Sequence, residues 1–367
     1  MRMVSPNKPG LRVGVFGAGA IGCYLGGRLI DAGHDVVLVG RASEVARHGL
    51  TLTDYEGRRW RVPPERARYE ADAAALADRQ VVLVTVKSPA TAAAGAALQA
   101  VLPEGALVVS FQNGVGNADT LAAALPRCVV LAGMVPFNVV RQGEGRFHNG
   151  TSGPLELARA AGAEGPLACA LREAGFAVAL HDDLRPVQWS KLLVNLNNSL
   201  NALAGVPLRE ELAQRGYRLL LAAAMREGLR CLRAAGLKPV RIGRLIPSVV
   251  PLALTLPDWL FVRAAAAMLK VDPLARSSMW DDLQRGRQTE VDYLNGEILR
   301  LGERHGVPTP VNRRIVALIK EAERAGRGSP GLSPAALREA IDNRGAAAAL
   351  AIDNRGAAAP LATDTEE

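Results

Sequence analysis

From Leu11 to about Asp182 the chain alternates short, almost purely apolar runs with stretches of helical period. "LRVGVF", "DVVLVG", "QVVLVTVK", "ALVVSF" and "CVVLAGM" read as strands, with helices over residues 20–32 and "TAAAGAALQAVL" between them. Strands that are apolar on both faces and separated by helices predict a parallel sheet covered on both sides. Around "FNVVRQGEGRFHNGTSGPLELAR" the pattern changes to hairpin-like strands with glycine turns. From Pro186 to about Arg324 it is mainly helical. The expected organisation is an α/β domain over 11–182 and an all-helical domain over 183–327.

Beyond that lies a different kind of sequence. "AIDNRGAAAAL" at 340–350 is followed at once by "AIDNRGAAAPL" at 351–361. Two copies fall short of the roughly three that a stacked repeat needs, and the segment holds few large apolar residues. Residues 328–367 are therefore expected to be a disordered, low-complexity tail, dispensable after about Gly328.

Composition narrows the function classes. Hydrophobic residues make up 49% and charged residues 22% of the 367, a profile of a soluble globular chain. "MRMVSPNKPG" has no signal-like apolar run, and "IPSVVPLALTLPDWLFVRAAAAMLK" is broken by prolines and charges, which argues against a membrane span. The net charge of +8 admits an acidic partner, but with 4% aromatics and dispersed arginines nucleic acid is not expected. Cys23, Cys128, Cys169 and Cys231 show no metal or redox spacing, so reduced, packed thiols in a cytoplasmic protein are expected and no metal. Only six of the 44 basic residues are lysines, which singles out a lysine inside an apolar stretch.

"VGVFGAGAIGCYLGGRL" places Gly17, Gly19 and Gly22 in G-x-G-x-x-G spacing between a strand and a helix. In that context the first glycine permits the tight turn, the second lets backbone approach a pyrophosphate, and the third allows close helix–strand packing. Gly17, Ala18, Gly19, Ala20, Ile21 and Gly22 are thus the expected cofactor cradle, at a helix N-terminus that favours phosphate. The fold expected is a Rossmann-type doubly wound sheet. At the end of the second strand, where an NAD-selective site tends to carry an acid, stands Arg41 in "VVLVGRASE". A guanidinium there suits a 2′-phosphate and predicts NADPH.

"WSKLLVNLNNSLNALAG" sets a lysine and four asparagines in an apolar helix. With Lys191 at zero on a wheel of about 100° per residue, Asn195 falls near +40° and Asn198 near −20°, with Ser199 and Asn201 flanking them. The polar residues form a stripe, which reads as the wall of a polar cleft. A cleft lysine can act as a general acid. Asn113, in "FQNG", and Lys87, in "VTVKSP", end strands where open α/β sheets bind ligands; the residues alone leave Lys87 between site and surface. In "ARSSMWDDLQRGRQTEVDYLNGEI", Ser278 and Asp282 share a helix face, and Glu290 follows two turns on if the helix continues through Gly286. From the residues alone that segment is a capped surface helix.

"VFGAGAIG", "LVTVKSPAT", "SFQNGVGN", "VQWSKLLVN", "SSMWDDLQRGRQTEVDYLNG" and "GVPTPVN", in this order, resemble the 2-dehydropantoate 2-reductase (ketopantoate reductase) family. The resemblance implies a Rossmann domain followed by a helical domain of the 6-phosphogluconate-dehydrogenase type. It implies NADPH-dependent reduction of ketopantoate to pantoate, a step of pantothenate and coenzyme A biosynthesis. By it Lys191 matches the catalytic proton donor and Asn113 a residue bridging cofactor and substrate. Asn195 and Ser278 match substrate contacts, and Lys87 matches a lysine near the active site. Glu290 matches a contact to the nicotinamide end and Asp282 a residue that orients its neighbours. Ser199 stands where the family commonly has a second asparagine, with Asn198 beside it, so another 2-oxo acid is an alternative substrate. A non-catalytic NADP-binding regulator is the alternative from another class. A homodimer is compatible with the helical half.

Overall fold

The computed structural model describes residues 10–41, 44–243, 245–264 and 275–342. Its strands are β1 (Arg12–Phe16), β2 (Asp35–Val39), β3 (Leu50–Asp54), β4 (Arg59–Val62), β5 (Tyr69–Glu70), β6 (Val81–Val84), β7 (Leu107–Ser110), β8 (Val129–Met134), β9 (Val139–Gly143), β10 (Arg146–Asn149), β11 (Leu155–Ala158) and β12 (Val178–His181). Eight of them form one sheet in the order β12-β11-β8-β7-β6-β1-β2-β5. All pairings in it are parallel except β11 against β8.

Val13, Val15, Val36, Leu38, Leu83 and Val109 feed the core on one face, with Val37, Val39, Val82, Val84 and Val108 on the other. Burial on both faces is why these strands read as continuous apolar runs rather than as alternations. Strand order reverses between β1, which continues to β2 on one side, and β6, which continues to β7 and β8 on the other, so the topological switch point lies between β1 and β6.

A second sheet, β4-β3-β10-β9, had no counterpart in the expected elements for its first half. β3 and β4 form an antiparallel hairpin from "LTLTDYEGRRWRV", whose mixed polarity hides the alternation. β9 and β10 supply the expected hairpin, with an irregularity at Arg146/Phe147.

The described chain divides into two compact units: Met1–Asn195 with Leu232–Ser248 and Asp292–Glu297, and Leu196–Cys231 with Val249–Val291 and Ile298–Glu367. By its contacts the helix Arg185–Asn195 groups with the sheet-bearing unit. Leu184 and Val187 cluster with Met134 at the end of β8, and Ile242 packs against them. The helix over "WSKLLVNLNNSLNALAG" divides at Leu196 into Arg185–Asn195 and Asn197–Ala204. Asn195, Asn197 and Asn198 crowd that point, and asparagine competes for the helical backbone.

The second unit corrects the expected start of the tail. Pro334–Asp342 is a helix whose Leu337 is fully buried. Leu332 N–H donates to Leu203 O at 2.9 Å, and Tyr217 Oη donates to Leu332 O at 2.7 Å. The second unit therefore continues past Gly328 at least to Asp342. Nearly all of the tandem repeat, from 343 onward, lies outside the described residues. Among the cysteines Cys23 and Cys231 are buried and Cys169 is exposed, so not every thiol is packed.

Candidate active site

The glycine turn closes the switch point through backbone contacts. Gly17 and Ala18 N–H both donate to Val39 O, at 2.9 and 3.0 Å, and Thr85 Oγ1 donates to Gly17 O at 2.7 Å. The turn is thereby tied to the ends of both β2 and β6. Gly17 has φ +114°, and a Cβ there would lie 2.6 Å from Val86 N. At Gly22 a Cβ would lie 2.6 Å from Thr85 Oγ1. At Gly19, by contrast, a Cβ would meet nothing of the protein nearer than Gly17 O at 4.0 Å. Two glycines make room for the protein and the middle one leaves the outer side of the turn open. The helix Ala20–Asp31 begins there, and its first intrahelical donor is Cys23, with Ala20, Ile21 and Gly22 preceding it. Open backbone beside helix-start amides fits a pyrophosphate.

Arg41 follows Gly40 at the end of β2 and is exposed. Glu44, the first acid after it, is ion-paired with Arg141 at 2.9 Å. The Arg141 guanidinium holds this carboxyl below the usual range. The first acid after Arg41 in the chain is therefore already engaged by a cation.

Lys87 and Asn113 follow β6 and β7, the first and second strands beyond β1 in the sheet. Lys87 is exposed and caps the 3₁₀ turn Ser88–Ala90. Their loops are joined by a buried polar network. Asn117 Nδ2 donates to Asn113 O at 2.7 Å and Ser88 Oγ at 3.2 Å, Thr91 Oγ1 to Asn117 Oδ1 at 2.9 Å, and Gln112 Nε2 to Thr91 Oγ1 at 2.7 Å. Sequence reasoning missed Ser88, Thr91, Gln112 and Asn117. The usable signal was small polar residues crowded behind two strand ends in "KSPAT" and "FQNGVGN".

Lys191 completes the row. It is half-buried on Arg185–Asn195, and its Nζ donates to Val135 O, just past β8, at 2.5 Å. The helix is anchored there by Ser190, whose Oγ donates to Pro186 O and accepts from Val240 N, each at 2.7 Å. Arg41, Gly17, Lys87, Asn113 and the carbonyl holding Lys191 thus follow β2, β1, β6, β7 and β8, five adjacent parallel strands. Four steps of about 4.8 Å put about 19 Å between the ends of the row, the scale of an extended dinucleotide. Asn195, one turn beyond Lys191, is half-buried in the same unit.

The remaining expected residues lie in the second unit. Asn198 is half-buried and Ser199 fully buried, its Oγ donating to Leu196 O at 2.9 Å. Ser278 is exposed and Asp282 buried on one short helix, Ser278–Gln284. That helix does not reach Glu290. It ends before Gly286, whose φ is +59°, a left-handed conformation that terminates helices, and buried Glu290 follows on a separate segment. The capping residue is Ser277, which accepts from Trp280 N at 3.1 Å. Asn201, counted with the polar stripe, is fully buried and bonded to Glu211 and Val206.

A parallel sheet with a phosphate-type glycine turn at its switch point, an amide and a lysine at the far end of one row, and a helical second half define a nicotinamide-dependent oxidoreductase. Comparison with known proteins gives the family. The pattern of the ketopantoate reductase PanE/ApbA family matches residues 13–162, and that of the family's C-terminal region matches 183–323. The chain belongs to this family.

A 2-dehydropantoate 2-reductase of Halobacterium salinarum is 31% identical over 325 residues, covering 86% of this chain and all of the relative. A PanE/ApbA family ketopantoate reductase from Ralstonia eutropha JMP134 superposes with a TM-score of 0.74 at 32% identity, over 86% of this chain and all of that one. The structure of D-mandelate dehydrogenase with NADH and anilino(oxo)acetate shares the fold, with a TM-score of 0.71 at 22% identity over 86% of this chain and 99% of its own. Among the described residues no helix is long and apolar enough to cross a membrane.

Proposed function

We propose that this enzyme reduces 2-dehydropantoate to pantoate with NADPH, in the cytoplasm, as a step toward pantothenate. The observation that carries this reading is the lysine held at the end of β8, in line with the glycine turn. Lys191 Nζ donates to Val135 O, which holds the ammonium at the carboxyl end of the sheet, in the row that begins at the cofactor turn. The bound dihydronicotinamide would supply a hydride to the C2 carbonyl carbon. Lys191 protonates the carbonyl oxygen, and Asn195 and Asn113 orient the oxo acid and the cofactor's reactive end. Asn198 is assigned to the substrate by its place on the polar stripe and Ser199 by the family position it occupies, while the family resemblance assigns Ser278 to the substrate, Glu290 to the nicotinamide end and Asp282 to orienting its neighbours. Arg41 takes the 2′-phosphate, with Glu44 already paired.

Ser199 supports a second reading. A short, fully buried serine bonded to Leu196 O, where the family commonly has asparagine, fits a different 2-oxo acid on the same scaffold. Steady-state oxidation of NADPH and of NADH with ketopantoate, 2-oxoisovalerate and bulkier 2-oxo acids decides both points. Ketopantoate with NADPH is expected to give the highest kcat/KM, and Arg41→Ala to erode the preference for NADPH by tenfold or more. Higher efficiency with another oxo acid selects the second reading, and equal use of both cofactors overturns the role of Arg41.

A further inference from the structure

Glu211 lies on the short helix Leu208–Ala213 and is 1% exposed. A carboxyl buried among neutral groups is costly, and an apolar side chain would fill the space at lower cost. The neighbours explain its presence. Asn201 Nδ2 donates to Glu211 Oε2 at 2.6 Å and to Val206 O at 3.0 Å, while Asn197 Nδ2 donates to the same Oε2 at 3.4 Å. With both amide protons of Asn201 engaged, its Oδ1 must face the other way. There it accepts from Ser277 N at 2.8 Å. Ser277 Oγ in turn donates to Asn198 O at 2.9 Å and accepts from Trp280 N at the start of the Ser278–Gln284 helix.

The relay runs from Glu211 through Asn201 to Ser277. It joins the helix carrying Asn198 and Ser199 to the helix carrying Ser278 and Asp282, all within the second unit. Its members are almost wholly buried, with Asn201 at 0% and Ser277 at 4%. A buried amide network of this kind has one satisfied arrangement, because flipping Asn201 would oppose like groups at both ends.

We propose that Glu211 is a positioning residue for substrate recognition: it fixes the Asn201 amide, and through Ser277 holds the Asn198/Ser199 helix and the Ser278 helix in one register. This rests on the proposed assignment of those residues to the oxo acid. A neutral side chain of equal length serves the same purpose, whereas an apolar one does not.

The test compares Glu211→Leu, Glu211→Gln and Ser277→Ala in the full chain. Glu211→Leu and Ser277→Ala are expected to raise the KM of the best-used 2-oxo acid by about tenfold. The KM for NADPH should stay within twofold, and Glu211→Gln should restore the oxo-acid KM. Hydrogen exchange of the 277–284 amides reports on the relay without any turnover and should quicken in Glu211→Leu and Ser277→Ala but not in Glu211→Gln. An unchanged oxo-acid KM in Ser277→Ala, or equal losses on both substrates, overturns the recognition role. Unchanged exchange in both disruptive variants overturns the relay itself. If the wild type turns over no 2-oxo acid the reductase reading falls alone, and the exchange experiment still decides the relay.

Discussion

At the residue scale Lys191 and Glu211 show how differently a polar group inside an apolar helical region can be used. Lys191 keeps one donor on Val135 O and stays half-buried at the strand end. Lys191→Ala is expected to lower kcat by about 10²-fold or more with little change in the KM for NADPH, as for loss of a general acid. Steady-state kinetics check this, and near-wild-type kcat removes Lys191 from the mechanism. Glu211 has no such exit to solvent, and burial pushes its carboxyl up to about 8, against the pull of Asn201 and Asn197. Between the ordinary value of 4.5 and about 8 the native state holds a proton that the unfolded state has released. Stability therefore falls as pH rises through that window. Tyr217, whose phenol burial and the nearby Glu211 and Glu210 raise above 10, does not titrate within it. Melting temperatures measured from pH 5 to pH 9 should show Glu211→Gln gaining on the wild type as pH increases, and a constant difference would contradict the buried neutral acid.

At the scale of elements, the strand–turn–helix over 12–31 was legible in the sequence because its physics is local. Two glycines must make room for backbone, one must leave room for a ligand, and a fixed spacing follows. Gly22→Ala would place a methyl 2.6 Å from Thr85 Oγ1 and against Gly17 O, displacing the turn that Thr85 ties to β6. A rise of tenfold or more in the KM for NADPH is expected, with calorimetric NADPH binding as the check; Gly19→Ala meets no protein atom and should act only through the bound phosphate. The long apolar–polar helix was less legible. Its stripe predicted an active-site wall, but Asn201 turned out to serve the buried relay, and the helix divides at Leu196. A wheel gives the side on which a residue lies, not what waits there. The continuation to Glu290 failed for a local reason, the left-handed Gly286.

At the scale of the whole molecule, the tail is where composition misled. Alanine and glycine richness begins near the repeat, yet residues 329–342 still belong to the second unit through Leu332, Leu337 and Ile341. Truncation after Gly328 is expected to lower the melting temperature by several degrees, since it removes a buried leucine worth about 2 kcal/mol and two hydrogen bonds. Truncation after Asp342 should leave melting and activity unchanged, and thermal unfolding of the two shortened chains separates these outcomes.

The sequence by itself determined the doubly wound sheet, its strand–turn–helix start and the family, because each is written in short-range spacing. Tertiary structure decided the rest. It aligned Arg41, Gly17, Lys87, Asn113 and Lys191 along adjacent strand ends, a juxtaposition set by the order β2-β1-β6-β7-β8 rather than by chain order. It also paired Asn201 with both Glu211 and Ser277, residues 10 and 76 positions away. Hydrogen bonds over such separations leave no periodic trace in the chain, since what selects them is the need to satisfy a polar group once burial has removed its water.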